Sequence, residues 1–388
     1  MTRVAYVCSD PGVPVFGRKG CSVHVQEVVR ALTAEGAEVE IFTARIDGPP
    51  PPGLEKILVH HLPPPTGADP TQRELRLLAA ADELAARVEH AGPFDVVYER
   101  YALWGHAGMA LARRLGVPGL LEVNAPLIEE QAEHRVLHHR ALAEKVAARA
   151  FGAATALLAV SPAVAAYLAR FPAAAGRIHV VPNGVDPGRF AVPAARAPGD
   201  GVAIAFVGTL KPWHGLDALV DAFASLATSL PRARLVIVGD GPERPSLADR
   251  AAAAGIGARV TWTGAISPEQ VPSILAGVDV GVAPYPRLPD FYFSPLKVLE
   301  YMAAGLPVVA SRSGSLPDLV EHGVHGLLYE PSDLAGLEAA LARLAAEPPL
   351  RRRLGDQART KVRREHTWRA VARRILDLAG RGEAVAAG

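Results

Sequence analysis

At 388 residues the chain has room for two domains of ordinary size, and its 49% hydrophobic and 21% charged residues describe a packed globular protein, not a disordered one. A formal net charge of +1 gives no general attraction to nucleic acid or to an anionic membrane. No apolar run approaches the roughly 20 residues that span a bilayer, no signal-peptide pattern precedes the first strand, and two cysteines, Cys8 and Cys21, fit a reducing cytoplasm rather than a disulfide scaffold.

Val4-Ala5-Tyr6-Val7 is a buried strand that runs into the loop Cys8-Ser9-Asp10-Pro11-Gly12. Ser22 is placed to cap a helix over 22–35, with Val25, Val28, Val29 and Leu32 on one face; Gly36 ends it before a strand over 39–43. This is β-α-β rhythm. The intervening loop, 14–20, lacks the dinucleotide pattern G-x-G-x-x-G. Its Gly17 and Gly20 bracket Arg18 and Lys19 directly before a helix start, an arrangement that binds an anion or merely turns the chain. Prolines at 49–52 and 63–65 frame a strand over 56–62, followed by helix 72–90, strand 94–99 and helix 103–115.

The strand 119–123 brings Glu122, Asn124, Ala125 and Pro126 to its carboxyl end, where open parallel sheets hold ligands. Asn124 is there as a site residue or as a turn cap. A helical pattern over 128–151 carries Glu129, Glu130, His134, His138 and His139. His134 and His138 stand at i,i+4, a metal-ligand spacing, but no third ligand is near and the segment reads as a solvated helix face. Strands over 154–160 and 177–181, a turn at Pro182-Asn183-Gly184-Val185-Asp186 and a Pro/Gly-rich linker over 190–201 close this half.

The rhythm then restarts. Strand 202–207 ends in Gly208-Thr209-Leu210-Lys211-Pro212-Trp213-His214-Gly215 before helix 216–229, and strand 234–238 ends in Gly239-Asp240-Gly241-Pro242. Strands over 259–262, 279–283, 308–310 and 326–329 follow, with helices between them. Two such halves imply two doubly wound α/β domains facing each other across a cleft, 1–190 and 191–366, with a last helix over 367–388 crossing back to the first. The Arg-rich stretch 351–374 reads as a solvated face, with contact to anionic lipid as the lesser reading.

The stretch Ser294–Ala310, SPLKVLEYMAAGLPVVA, concentrates chemistry. A polar start with Pro295 in the first turn leads into the apolar period Leu296, Val298, Leu299, Met302. Lys297 and Glu300, at i and i+3, lie on one side near the helix N-terminus, where amides and the dipole suit a phosphate. An ordinary surface helix with an ion pair has the same pattern.

In combination, Val181-Pro-Asn-Gly-Val-Asp186, Phe206-Val-Gly-Thr-Leu-Lys-Pro-Trp-His-Gly215, Val238-Gly-Asp-Gly-Pro242 and Leu299-Glu-Tyr-Met-Ala-Ala-Gly-Leu-Pro-Val-Val-Ala-Ser311 resemble the retaining nucleotide-sugar glycosyltransferases of family 4, with GT-B architecture, over essentially the whole chain. The resemblance implies that Glu300 holds the donor ribose hydroxyls and that the helix start at Ser294, Leu296 and Lys297 faces the donor diphosphate. The family's first glutamate falls on Tyr292, its basic loop pair on Thr209 and His214, and its catalytic-region histidine on Asn124; Lys211 and Lys297 are left to neutralise the leaving group. Donor contacts are further expected from Gly17, Gly20, Gly208 and Gly241, and acceptor contacts from Arg18, Lys19, Arg100, Glu122, Asn124 and Glu129. The implied reaction moves a sugar from a nucleoside-diphosphate sugar to a hydroxyl acceptor by front-face displacement, without a metal or other cofactor, in the cytoplasm and with at most peripheral membrane contact. An epimerase or hydrolase of the same fold, or a nucleotide-sugar sensor, are the competing readings. A nicotinamide dehydrogenase is disfavoured because neither half shows G-x-G-x-x-G after its first strand.

Overall fold

The computed structural model describes residues 1–64, 66, 69–190, 201–288, 291, 292 and 294–386. The chain divides into two compact units, one of Met1–Asn183, Tyr292–Ser294 and the chain from Trp368, the other of Gly184–Phe291 and Pro295–Thr367. The sequence puts its boundaries at 190 and 366, whereas the structure passes from one unit to the other at Asn183/Gly184 and at Thr367/Trp368. Tyr292–Ser294, expected in the second domain, belongs to the first unit. Most of the expected linker, 191–200, lies outside the described residues.

The first unit comprises β1 (Arg3–Cys8), α1 (Gly20–Ala34), β2 (Glu38–Thr43), β3 (Leu58–His61), α2 (Pro70–Ala91), β4 (Val96–Arg100), α3 (Ala107–Leu115), β5 (Gly119–Val123), α4 (Leu127–His134), α5 (Arg140–Ala153), β6 (Ala156–Ala159), α6 (Pro162–Leu168) and β7 (Ile178–Val180). All strands pair in parallel, in the order β3-β2-β1-β4-β5-β6-β7. β4, β5 and β6 are buried along their whole length, so their apolar residues show no in-out alternation, and the charges Glu99, Arg100 and Glu122 that interrupt β4 and β5 are buried as well. Strand order reverses between β1 and β4, so the ligand crevice of this sheet opens beyond the carboxyl ends of those two strands.

Two helices differ from expectation. α1 starts at Gly20 with Lys19 in the cap position, and Ser22 lies inside the first turn, fully buried, instead of capping it. The pattern over 128–151 is broken into α4 and α5. At the break the Glu74 carboxylate accepts the backbone amides of His138 (3.0 Å) and His139 (2.9 Å) and the His139 ring Nδ1–H (2.8 Å). A carboxylate that takes two successive amides outside the helix ladder gives the chain a place to turn that no local signal announces. The His134 side chain lies outside the described residues, and among the described ones no three His, Cys, Asp or Glu side chains converge as a metal site would require.

The second unit comprises β8 (Ala203–Val207), α7 (Leu216–Ser229), β9 (Arg234–Val238), α8 (Arg244–Ala253), β10 (Val260–Trp262), α9 (Val271–Leu275), β11 (Val280–Ala283), α10 (Leu296–Ala303), β12 (Val308–Ser311), α11 (Leu316–Leu319), β13 (Gly326–Tyr329), α12 (Leu334–Ala346) and α13 (Pro348–Glu365). Its parallel sheet runs β10-β9-β8-β11-β12-β13 and reverses between β8 and β11. The last helix, α14 (Trp368–Ala386), returns to the first unit and packs on α1. The Trp368 ring meets that of His24 edge to face at 5.2 Å, and Glu35 holds Arg369 and Arg373 at 2.5 and 2.7 Å. Among the described residues no helix is long and apolar enough to cross a membrane.

Candidate active site

In the second unit the chemistry gathers at the switch point. α10 is fixed there by Tyr301, fully buried, whose hydroxyl accepts the Val207 amide at 2.7 Å and donates to the Val282 carbonyl at 3.3 Å. One residue thereby ties the helix to β8 and β11 together. Lys297, one turn earlier, is carried to the same place. Its Nζ lies 4.0 Å from the centroid of Phe206, on β8, and 5.2 Å from that of Tyr285, just beyond β11. Lys297 is only 9% exposed, and Nζ has no hydrogen-bond partner.

Three N–H donors without an acceptor in an apolar box are costly. Burial brings the Lys297 amine down from 10.5 to about 7, with Glu300 pulling the other way. That drop disfavours the charged form by about 5 kcal/mol, of which cation–π contact with two rings returns only a part. Buried unpaired charges are rare in native proteins, and burial here favours the neutral amine. Glu300 follows one turn on, half-buried on the same helix.

The loop beside Nζ lies close against it at Gly208, where a side chain would crowd the amine. A Cβ on Gly208, whose φ is +142°, would lie 3.0 Å from Lys297 Nζ; one on Gly241 would lie 2.3 Å from the Leu210 carbonyl. The loops after β8 and β9 are zipped by Gly208 N–H to Val238 O (2.9 Å) and Leu210 N–H to Asp240 O (3.0 Å). His214 Nδ1–H donates to the Thr209 carbonyl at 2.6 Å, which fixes the tautomer and leaves Nε2 as an acceptor. Burial, then the Lys297 and Lys211 charges, lower the His214 imidazole to about 3, while the Thr209 carbonyl opposes them. His214 is therefore neutral at physiological pH and cannot be the loop cation for which the family's basic pair was expected. Lys211 lies over the Trp213 ring at 5.4 Å.

In the first unit a buried polar cluster occupies the other switch point. Arg100 and Glu122 are register partners at the ends of β4 and β5, 4.0 Å apart. His24 of α1 forms an ion pair with Glu122 through Nε2. Burial favours the neutral Glu122 carboxyl, but His24, Arg100 and the Tyr98 hydroxyl outweigh it and hold Glu122 below the usual range. Burial likewise opposes the Arg100 charge, and Glu122 together with Tyr6, Cys8 and Cys21 more than offsets it. Tyr6 and Tyr98 stack beneath at 5.3 Å, and burial pushes the Cys8 thiol up to about 12. Glu122 thus holds Arg100 and His24 in place and does not present itself to an acceptor. Arg100 Nη1, beyond its 4.0 Å ion pair with Glu122, and Asn124 Nδ2 are shielded donors with no hydrogen-bond partner.

The remaining expected residues scatter. Gly17 is part of the turn, its amide donating to Pro14 O (3.0 Å) and its carbonyl accepting from Gln26 Nε2 (2.9 Å). Arg18, Lys19 and Gly20 are exposed at the start of α1. Glu129 pairs with Arg170 at 3.1 Å. Tyr292, placed by motif among donor contacts, instead donates its hydroxyl to Glu130 (3.0 Å) and accepts from the Ser161 hydroxyl through its carbonyl (2.9 Å). Ser294 precedes α10 without entering it, its hydroxyl oxygen accepting the Asn183 amide at 3.3 Å. Leu296 opens α10 with its side chain half-buried. The structure therefore brings Gly208, Thr209, Lys211, His214, Lys297 and Glu300 into one neighbourhood, and Arg100, Glu122 and Asn124 into another. Sequence reasoning missed His24, Phe206 and Tyr285. Phe206 and Tyr285 flank the β8–β11 switch point, and strand-order reasoning alone would have pointed to them.

Two doubly wound parallel-sheet units define a GT-B protein. Sucrose-phosphate synthase from Thermosynechococcus elongatus has this fold at a TM-score of 0.78 and 24% identity, over 99% of this chain and 100% of that one. Anabaena HepE in complex with UDP-glucose matches at a TM-score of 0.70 and 19% identity, over 97% and 99% of the two chains. Glycosyltransferase Family 4 matches residues 18–189 and Glycosyl transferases group 1 matches residues 191–361. A D-inositol 3-phosphate glycosyltransferase from Saccharomonospora viridis is 31% identical over 95% of this chain and 90% of its own length. An MMP alpha-(1->4)-mannosyltransferase from Mycolicibacterium hassiacum is 29% identical over 91% and 92%. The chain belongs to this family of GT-B glycosyltransferases.

Proposed function

We propose that the second unit holds the diphosphate of a nucleoside-diphosphate sugar at Lys297 and the α10 N-terminus, and that the sugar passes to an acceptor hydroxyl with retention at the anomeric carbon. The observation that carries the reading is the Lys297 Nζ, buried without a hydrogen-bond partner at the β8–β11 switch point. A diphosphate supplies the oxygens that this Nζ lacks, and α10 adds amides and its positive dipole end. Glu300 is assigned the ribose hydroxyls, and the His214 Nε2 acceptor suits a donor hydroxyl better than a phosphate. The counter-charge comes from Lys297 and Lys211, so the reading needs no metal. Arg100, Asn124, Arg18 and Lys19 of the first unit are assigned to the acceptor. Two unpaired cysteines support placement in a reducing compartment.

The chemistry is a front-face displacement. The acceptor oxygen bonds to the anomeric carbon as the bond from that carbon to the diphosphate oxygen breaks, and the acceptor proton passes to the departing phosphate oxygen. Charge on the leaving group is what the protein must stabilise, which is the part played by Lys297.

The test is titration of the full chain with UDP-, GDP- and other nucleoside-diphosphate sugars, followed by acceptor screening with nuclear magnetic resonance of the new linkage. One nucleotide series is expected to bind, with Lys297→Ala weakening it ten- to a hundredfold, and the product is expected to keep the donor's anomeric configuration. Release of nucleoside diphosphate without any acceptor would favour hydrolysis or epimerisation instead. Parent-like binding by both Lys297→Ala and Glu300→Ala would remove the site assignment.

A further inference from the structure

The groups facing Lys297 come from three elements. On α10 itself Glu300 favours the ammonium. The loop after β8 presents His214 and Lys211; the imidazole is neutral, and Lys211 carries a like charge. Beyond β11 stands Tyr285, whose phenol burial pushes upward so that it too stays neutral. Phe206 contributes only its ring. In the empty protein, then, the box favours an amine, and an incoming diphosphate favours an ammonium.

Resting on the donor reading above, we propose that a proton is a co-ligand of the donor site: diphosphate binding fixes Lys297 as the ammonium, and nucleotide release returns that proton to solvent. The balance is simple, one proton from water onto Nζ on binding and the same proton back on release, with no covalent bond made or broken. The geometry requires it because Nζ is buried, carries no hydrogen-bond partner and lies against two rings, so nothing but ligand stabilises its charge fully. With the free amine titrating at about 7, donor affinity is level in mild acid and weakens up to tenfold per pH unit above neutrality. The protein thereby binds its donor most tightly when charged, and lets product go most easily where the amine is stable.

The experiment is calorimetric titration of the full chain with UDP-glucose and with GDP-mannose. Both carry a diphosphate diester that stays fully ionised between pH 6 and 8.5, so the ligand contributes no proton there. Measured at pH 7.5 in buffers of differing ionisation enthalpy, binding is expected to take up about 0.8 proton, falling toward zero at pH 6. Lys297→Arg, which cannot shed its charge, is expected to bind without proton uptake and with an affinity that does not vary over this range. Binding with no uptake by the parent overturns the proposal and leaves the donor reading standing. Uptake that survives in Lys297→Arg overturns it as well, by moving the proton to another group. Failure of both diesters to bind removes the donor reading, and the proposal with it.

Discussion

Lys297 and Glu99 are both buried ionisable groups, and each makes the stability of the chain depend on pH with a sign that can be worked out. The folded chain releases the Lys297 proton at about 7, whereas an unfolded lysine keeps it to 10.5. Between those values the unfolded state binds more protons, so stability rises with pH. Lys297→Met is therefore expected to stabilise the ligand-free chain by on the order of 3–5 kcal/mol at pH 6 and by far less near pH 10, read by urea unfolding at both. An equal gain at the two pH values would mean that packing, not charge, is responsible. Glu99 has the opposite sign. Burial raises its carboxyl from 4.5 to about 7, with the Met109 amide of α3 opposing, so here the folded state binds more protons and stability falls as pH rises through that window. Glu99→Gln keeps an acceptor for the Met109 amide and is expected to gain on the order of 2–3 kcal/mol at pH 8 and almost nothing at pH 4. Neither environment was legible in the sequence. Lys297 and Glu300 at i,i+3 look like a surface pair, because helix spacing tells which residues share a side and not what that side meets.

At the scale of elements, α13 shows how a charge run can mislead. The basic stretch reads as a solvated face, yet several of its cations end on backbone carbonyls. Arg351 Nη1 donates to Leu344 O and to Ala345 O (3.0 Å), at the end of α12; Lys361 Nζ donates to Asp318 O (2.8 Å) and Leu319 O (2.9 Å), in α11. These are the orphan acceptors every helix leaves at its C-terminus, and cations there also complement the dipole. Lys361→Met is expected to cost about 1 kcal/mol in urea unfolding of the second unit, and a neutral result would return the residue to the solvated reading. The α4–α5 break is the converse case, in which a carboxylate 64 residues upstream interrupts an unbroken helical pattern. Replacing Glu74 by Ala should leave the His138 and His139 amides exchanging at least tenfold faster with solvent deuterium. Unchanged protection would mean that the corner holds its shape without that carboxylate.

For the whole molecule, the two sheets were the legible part. Strands 119–123, 234–238 and 326–329 and helix 216–229 were anticipated to the residue, because buried Val, Leu and Ala runs between Gly and Pro breaks leave few alternatives. The path of the chain between units was less so. Tyr292–Ser294 carries a motif of the second domain, but its hydrogen bonds to Glu130, Ser161 and Asn183 and the packing of Tyr292 on the first unit's core belong to the first. Truncation after Thr367 is expected to uncover α1 and loosen the first unit, seen as faster amide exchange in α1 and β1, while the second unit still binds nucleotide sugar. Parent-like exchange in α1 would show that α14 contributes little there.

The return of α14 also sets an order in time. The first unit starts leaving the ribosome before the second, but its α1 is covered only when Trp368, Ala372, Ile375 and Leu378 emerge, long after the second unit has all of its strands. At 5–20 residues per second, the stretch from Gly184 to Thr367 takes roughly 10–40 s to synthesise. For that interval α1 lacks its partner helix and its apolar surface is open to chaperones. The unit that is begun first is thus the last to be finished, and a nascent chain stalled before Trp368 would carry a complete second sheet and a first unit whose α1 has no partner helix.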